Sequence, residues 1–325
     1  MVVRVGFIGV GGVAQVHLRA LEAIDGARIV AVSDASAEAA QATARRYEGC
    51  RAFDDHRTML DEGELEAVYV CLPPGAHTGQ EIDVAERGLP LFVEKPVGLD
   101  QALARRTGDV LARQAILSSV GYNWRYLDVT DAARAELSGR PVGLAVGYWV
   151  SGLPGTAWWR AREQSGGQVV EQTTHIFDLC RYLVGEVRQV FAGASRGQFA
   201  DVPGYNIDDA SAATLIFQSG AVGMVASSDL APRGYQNVGL HLFSRDLVLE
   251  IGSTRLRIVR AGRVEEVQSA TSAYQQEDRA FVQAVATGDR SAIRCDYADA
   301  TRTLELTLAV NRSIETGQPV ALAEE

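Results

Sequence analysis

The sequence predicts an α/β domain with a doubly wound parallel sheet, followed by an α+β domain with a large, mostly antiparallel open sheet. Three observations carry this prediction. Short apolar runs alternate with helical stretches from Val3 to Val120, the rhythm of parallel βαβ units. At Gly121 the alternation stops, and from Val187 to Val267 the chain becomes a series of extended segments. Gly-centred turns such as Ser219-Gly220 and Ala261-Gly262 separate those segments, as in an antiparallel sheet with helices on one face. The 325 residues are enough for two medium domains, and the break in pattern puts them at 1–121 and 122–325.

Val3 to Gly9 reads as a buried strand, and Gly9-Val10-Gly11-Gly12-Val13-Ala14 follows it directly. A helix is expected from Val13 to about Ile24. This is GxGxxA between a strand and a helix. Gly9 permits the tight turn, Gly11 lets backbone amides approach a pyrophosphate, and Ala14 allows the helix to pack closely on the strand. The amides of Gly11, Gly12 and Val13 then lie at the positive end of the helix dipole, where phosphates bind. The next strand, Arg28 to Ser33, ends at Asp34, 20 residues after Ala14 (34 − 14). That spacing suits a carboxylate on the adenosine ribose diol. Ala35 and Ser36 follow, with no arginine to grip a 2′-phosphate, so the cofactor expected is NAD rather than NADP.

The alternation continues through helices at Glu38–Tyr47, Arg57–Leu60, Thr78–Arg87 and Leu99–Gln114. Strands are expected at Arg51–Phe53, Ala67–Leu72, Leu91–Val93 and Ile116–Val120. Cys71, Leu72, Pro73 and Lys95 then fall along the carboxyl edge of the sheet, where such sheets bind ligands, around the nicotinamide half of the cofactor. Beyond Gly121 the reading is a helix at Asp128–Leu137, a strand at Val142–Ser151 and a Gly- and Trp-rich loop from Gly152 to Gly167. One helix is expected from about Gly167 to Leu183. It would place Glu171, His175 and Asp178 at i, i+4 and i+7 on one face. Strands at Val187–Ala194, Ala210–Phe217, Ala221–Ser228, Gly239–Phe243, Leu247–Ile251 and Leu256–Val259 follow, then closing helices at Tyr274–Thr287 and Asp296–Thr316. Only one face of that sheet is covered by its own helices, which points to a homodimer or homotetramer through the other.

The net charge is 31 − 41 = −10, which disfavours a nucleic acid or an anionic membrane as partner. No apolar run approaches the ~18 residues of a membrane span, and the N-terminus has no signal-peptide pattern. Cys50, Cys71, Cys180 and Cys295 show no CxxC spacing, so reduced thiols in a cytoplasmic protein are expected, with no metal site. One lysine stands out. Lys95 is the only lysine among 31 basic residues, and it closes the apolar run Leu91–Val93 just before Pro96. An ammonium is compact and tunable by its surroundings, whereas a guanidinium stays charged, so a single lysine at a strand end is a candidate for chemistry.

Several stretches together resemble the glucose-fructose oxidoreductase/inositol dehydrogenase/rhizopine catabolism (Gfo/Idh/MocA) family. They are GVGGVA at Gly9–Ala14, Asp34, CLPPGAH at Cys71–His77, EKP at Glu94–Pro96 and YNWRY at Tyr122–Tyr126. The Trp159-Arg160…Gly166-Gly167 loop and EQTTHIFDL at Glu171–Leu179 complete the set. The resemblance spans essentially the whole chain. It implies a Rossmann domain and pyridine-nucleotide chemistry on a sugar or cyclitol hydroxyl. Lys95 matches the family's catalytic lysine and His175 its general base, while Glu171 stands where many members carry Asp. His77 and Glu94 fall in the cofactor motifs. Tyr122, Asn123, Arg125, Trp159, Arg160, Thr174 and Asp178 fall in those that face substrate. The implied reaction has His175 take the hydroxyl proton as hydride leaves the carbon. Lys95 bonds the same oxygen, and its charge disfavours protonation of His175. An NAD-dependent hydrolase using transient oxidation, or a non-catalytic nucleotide sensor, are the alternatives. Of the remaining histidines, His17 reads as packing or capping within the first helix, and His56 and His241 carry no motif.

Overall fold

The computed structural model describes residues 2–323 and folds into two compact units. The first holds the chain up to Tyr126 together with Ser272–Thr301. Its elements are β1 (Val3–Ile8), α1 (Gly12–Glu22), β2 (Ala27–Ser33), α2 (Ala37–Ala44), β3 (Arg51–Phe53), α3 (His56–Glu62), β4 (Ala67–Val70), α4 (Gln80–Glu86), β5 (Leu91–Val93), α5 (Gln101–Arg113) and β6 (Ser118–Val120). The six strands are all parallel, in the order β3-β2-β1-β4-β5-β6. Every residue of β4 and β5 is buried, as strands covered on both faces require. The order reverses between β1 and β4, the switch point where such sheets bind ligands. Gly9 makes that point possible. Its φ is +86°, and a Cβ there would lie 2.4 Å from the Cys71 carbonyl oxygen.

The second unit holds Leu127–Thr271 and Arg302 onward. Its elements are α6 (Asp128–Glu136), β7 (Val142–Gly152), α7 (Arg162–Ser165), α8 (Gln168–Glu171), α9 (Thr174–Val184), β8 (Val187–Ser195), β9 (Ala210–Phe217), β10 (Val222–Ala231), β11 (Gln236–Ser244), β12 (Leu247–Ile251), β13 (Arg255–Arg260) and β14 (Arg263–Gln268). The chain closes with α10 (Ala273–Thr287), α11 (Tyr297–Thr316) and β15 (Val320–Ala321). The nine-stranded sheet runs β14-β13-β12-β11-β7-β10-β9-β8-β15, and only the β7–β10 pairing is parallel. Along β10 the buried positions are Gly223, Val225, Ser227 and Asp229, alternating with more exposed ones, the period of two expected of a strand with one covered face. Helix α9 lies against the covered face. A Cβ on Gly147 of β7 would sit 2.4 Å from Ile176 Cγ2, so this glycine lets the helix approach.

Two expectations change here. The sequence break at 121/122 assigned everything beyond it to the second domain, yet α10 belongs with the first unit. Phe281 packs edge-on to Tyr69 and Phe92 with ring centroids 5.4 and 5.6 Å apart, and Val282 lies 3.6 Å from the Cβ position of Gly26. An amphipathic helix declares its apolar face locally but not which sheet will receive it. The single helix over 167–183 is instead two, α8 and α9. The Thr173 amide reaches back to the Gln168 carbonyl (2.9 Å), and the Ile176 amide to the Thr173 carbonyl (2.8 Å), which breaks the i→i−4 ladder. The Ser227 hydroxyl donates to Thr173 Oγ1 at 2.8 Å and anchors the interruption. Glu171 and His175 therefore sit on different helices, so their spacing along one helix no longer sets their relation.

Candidate active site

The nucleotide-binding features of the first unit converge at the β1–α1 turn. Gly11 caps α1 with an extended backbone, and a Cβ on either Gly11 or Gly12 would meet nothing within 4 Å, so the turn is open to a ligand. Asp34 Oδ2 accepts from the Val10 amide at 2.9 Å, and Oδ1 accepts from the Ser36 amide at 2.8 Å. Each oxygen keeps a further lone pair for a ribose hydroxyl. A cavity of about 460 Å³ lies here, bordered by Gly9, Gly11, Asp34, Cys71, Leu72 and Pro73. Asp54, Asp55 and His56 border it too, which the sequence did not indicate. His56 Nε2 pairs with Asp83 at 2.8 Å. The donors and the open turn fit a dinucleotide.

Lys95, half-buried, follows β5, and Pro96 joins it through a cis peptide. Glu94, expected among the cofactor contacts, is 3% exposed and turns its carboxylate to His17 Nε2 at 2.9 Å. His17 is fully buried, and its Nδ1 meets Asp278 of α10 at 2.8 Å. Burial alone would lower the His17 pKa, but Asp278 and Glu94 together carry it well above the ordinary value. Burial pushes the neighbouring Glu277 carboxyl up. His17 is thus a bridge between two carboxylates rather than a packing or capping residue. His77, also expected at the cofactor, is buried and pairs with Glu81, so it fixes the loop. Tyr122 and Asn123 are buried. Arg125 is buried against Asp299 and donates to the Arg294 carbonyl at 2.6 Å, which gives it a structural task in place of the expected substrate contact.

In the second unit, His175 is 7% exposed and stacks on Trp149 of β7, ring centroids 5.9 Å apart and 20° from parallel. Glu171 is 6% exposed at the end of α8. Gln168 Nε2 donates to the Ser228 carbonyl at 3.1 Å and Ser227 reaches Thr173, which ties the start of α8 and the break before α9 to β10. Thr174 is fully buried. Asp178 accepts from the Thr303 hydroxyl at 2.9 Å, and Arg160 donates to the Pro154 carbonyl at 2.7 Å, so both hold local structure. Trp158 and Trp159 meet edge to face, centroids 5.6 Å apart.

One acid in this unit escaped the sequence reading. Asp229 of β10 is fully buried, and neither carboxylate oxygen has a hydrogen-bond partner among the described residues. Burial, reinforced by the Glu171 and Asp209 carboxylates, pushes the Asp229 carboxyl up to about 7. The signal available was an Asp on the inward register of the strand, two residues after Ser227 and four after Val225. Only the register of β10 shows that it points in.

Known proteins share this architecture. A family model described as the oxidoreductase family with an NAD-binding Rossmann fold (GFO_IDH_MocA) matches residues 3–122, and the GFO/IDH/MocA C-terminal domain model matches residues 126–259. An inositol 2-dehydrogenase of Rhizobium meliloti is 30% identical over 247 residues, 74% of this chain and 73% of that one. A myo-inositol 2-dehydrogenase of Thermotoga maritima is 24% identical over 99% of both chains. The structure of a levoglucosan dehydrogenase in complex with NADH superposes with a TM-score of 0.90 at 20% identity, covering all of both chains.

Proposed function

The chain belongs to the Gfo/Idh/MocA oxidoreductase family, and from that premise we propose that it oxidises a secondary hydroxyl of a sugar, cyclitol or related polyol with NAD. The observation that carries the reading is the Asp34 carboxylate. It is bonded to the Val10 amide beside the open Gly11–Gly12 turn, with no basic side chain from Ala35 or Ser36. The polyol substrate class follows the relatives, which are named for inositol and levoglucosan.

Gly11, Gly12 and Val13 hold the pyrophosphate at the α1 N-terminus, and Asp34 holds the adenosine ribose. Bound NAD supplies the hydride acceptor. His175 takes the hydroxyl proton of the substrate. Its ring is held by the Trp149 stack, which limits the orientations it can adopt. Lys95 supplies a compact ammonium donor at the end of β5 that stabilises negative charge developing on a substrate oxygen. Glu171, Thr174 and Trp159 are the second unit's further candidates for substrate contact, and Asn123 is the first unit's. The protein acts in the cytoplasm, consistent with four cysteines outside any disulfide, and no helix among the described residues is long and apolar enough to cross a membrane. It assembles as a homodimer or homotetramer through the second sheet. Support comes from one uncovered face, where Phe191, Val222, Met224 and Leu144 are between 37% and 48% exposed. Cross-strand register sets Met224 opposite Thr214, and Thr214 opposite Phe191, on a common row.

A panel of inositols, aldoses, anhydrosugars and sugar nucleotides with NAD, followed by absorbance of the reduced cofactor, tests the function. Turnover of at least one polyol is expected. No reduction across the panel, or release of free reducing sugar without net reduced cofactor, overturns the reading.

A further inference from the structure

The buried group around His17 joins three segments of the first unit that the sequence keeps far apart. His17 lies on α1, one turn beyond the phosphate-binding glycines. Glu94 lies at the end of β5, and Asp278 on α10. The imidazole meets Asp278 at 2.8 Å and Glu94 at 2.9 Å, and the Tyr69 hydroxyl donates to Asp278 at 3.1 Å. Phe92, Tyr274 and Tyr69 surround the ring, with centroids 5.0, 5.4 and 5.5 Å away. His17 and Asp278 are fully buried and Glu94 is 3% exposed, so each carboxylate depends on its partners in the group.

Glu94 is held twice. Its amide donates to the Val70 carbonyl at 2.9 Å, continuing the β4–β5 ladder. Its carboxylate is seated against Gly121, where a Cβ would come within 2.6 Å of Oε1. Any side chain at 121 would displace it. The residue that follows is Lys95.

We propose that His17 is a positioning residue for Lys95, acting through Glu94; the proposal rests on the role given to Lys95 above. An imidazole that serves two carboxylates donates from both nitrogens, which makes it an imidazolium. Rotating the Glu94 side chain away would leave a buried charge unpaired, an arrangement proteins avoid at high cost. The residue before Lys95 therefore has one side-chain conformation and one backbone path. The ammonium starts from a fixed root, and only its own four-carbon stem can move.

A double-mutant cycle tests this in the full-length protein with NAD and an active polyol. His17→Asn is expected to lower kcat about 10²-fold in the Lys95 background, the scale of a displacement of about 1 Å at the reacting centre. NAD affinity should stay within about threefold, because the Gly11 turn is untouched. In a Lys95→Ala background the same change should cost less than about threefold, since residues that act as a unit are not additive. Lys95 is the only lysine, so amine labelling reads its environment directly, with the N-terminal amine as internal reference. Its labelling rate should change at least about threefold in His17→Asn while the reference rate holds. Glu94→Gln, which keeps an acceptor for the His17 N–H, should retain most of the activity that Glu94→Ala loses. This pair also runs the cycle if His17→Asn does not fold. Equal losses in both backgrounds, or unchanged Lys95 labelling, overturn the proposal. So does an equal loss on treating the wild-type protein with a chelator. The donor atoms of His17, Glu94 and Glu277 lie within 4.8 Å of one another, so that result would mean a cation holds the group. Full activity of Lys95→Ala by itself would instead remove the role of the lysine, and the proposal with it.

Discussion

Replacing Asp229 by Asn changes how stability depends on pH, and the size of the change can be worked out. The carboxyl is fully buried on β10, has no hydrogen-bond partner among the described residues, and is pushed from an ordinary 3.8 up to about 7 by burial and by Glu171 and Asp209. Below the unfolded value both states are protonated and the group contributes nothing. Between the two values the unfolded chain ionises while the folded protein keeps its proton, so stability falls as pH rises. Above about pH 7 the penalty is complete. At about 1.36 kcal/mol per pKa unit, the shift from 3.8 to about 7 amounts to roughly 4 kcal/mol in full, of which about 2.6 kcal/mol develops between pH 5 and pH 8. Beside burial, the groups that set this are Glu171 of α8 and Asp209 at the edge of β9; the Tyr205 hydroxyl nearby is in turn pushed up by burial and by the Asp229 and Asp209 charges. Asn has no such proton. It brings its own cost, an amide in a site without partners, but that cost does not vary with pH. The stability difference between Asp229→Asn and wild type should therefore rise by about 2–3 kcal/mol in favour of Asn from pH 5 to pH 8, then stay level. Urea unfolding followed by tryptophan fluorescence is a suitable assay, because Trp149, Trp158 and Trp159, three of the four tryptophans, lie in the unit that carries Asp229. A difference that stays constant across that range would show that Asp229 is ionised in the folded protein, and the reasoning would fail.

Other outcomes bear on the site itself. Lys95→Arg should be nearly as damaging to kcat as Lys95→Ala, because a compact donor is required; recovery of most of the rate would refute that role. His175→Ala should lower kcat by about 10²–10⁴-fold with little change in NAD affinity, measured by steady-state kinetics beside a cofactor titration. Titration with the two cofactors should show NAD bound more tightly than NADP, and Asp34→Ala should narrow the gap; tighter NADP binding to wild type would refute the assignment of Asp34. Met224→Glu with Phe191→Glu, on one exposed row of the second sheet, should shift the protein to monomer in light scattering, and an unchanged mass would place the interface elsewhere.

Much of this protein was legible in the chain because the signals are local. GVGGVA needs only the strand before it and the helix after it, and Asp34 follows at a fixed spacing, so the nucleotide turn forms where the sequence predicts it. Burial on both faces makes β4 and β5 continuous apolar runs, and hence Lys95 reads at once as a strand-end residue. What the tertiary structure decided is which distant surfaces meet. Helix α10 announces an amphipathic face, but only the aromatic stack of Phe281 on Tyr69 and Phe92 shows that the first sheet receives it. His17 and Glu94 are 77 residues apart, and their bond exists because α1, β5 and α10 pack together. Glu171 and His175 have helical spacing, yet hydrogen bonds at Thr173 split the helix between them. The same physics separates the two kinds of knowledge. Turn and strand patterns are set by backbone sterics and short-range periodicity within a few residues. The pairing of buried charges, and the upward pull on the Asp229 carboxyl, depend on which groups are buried together, and that is decided only when the whole chain has closed around them.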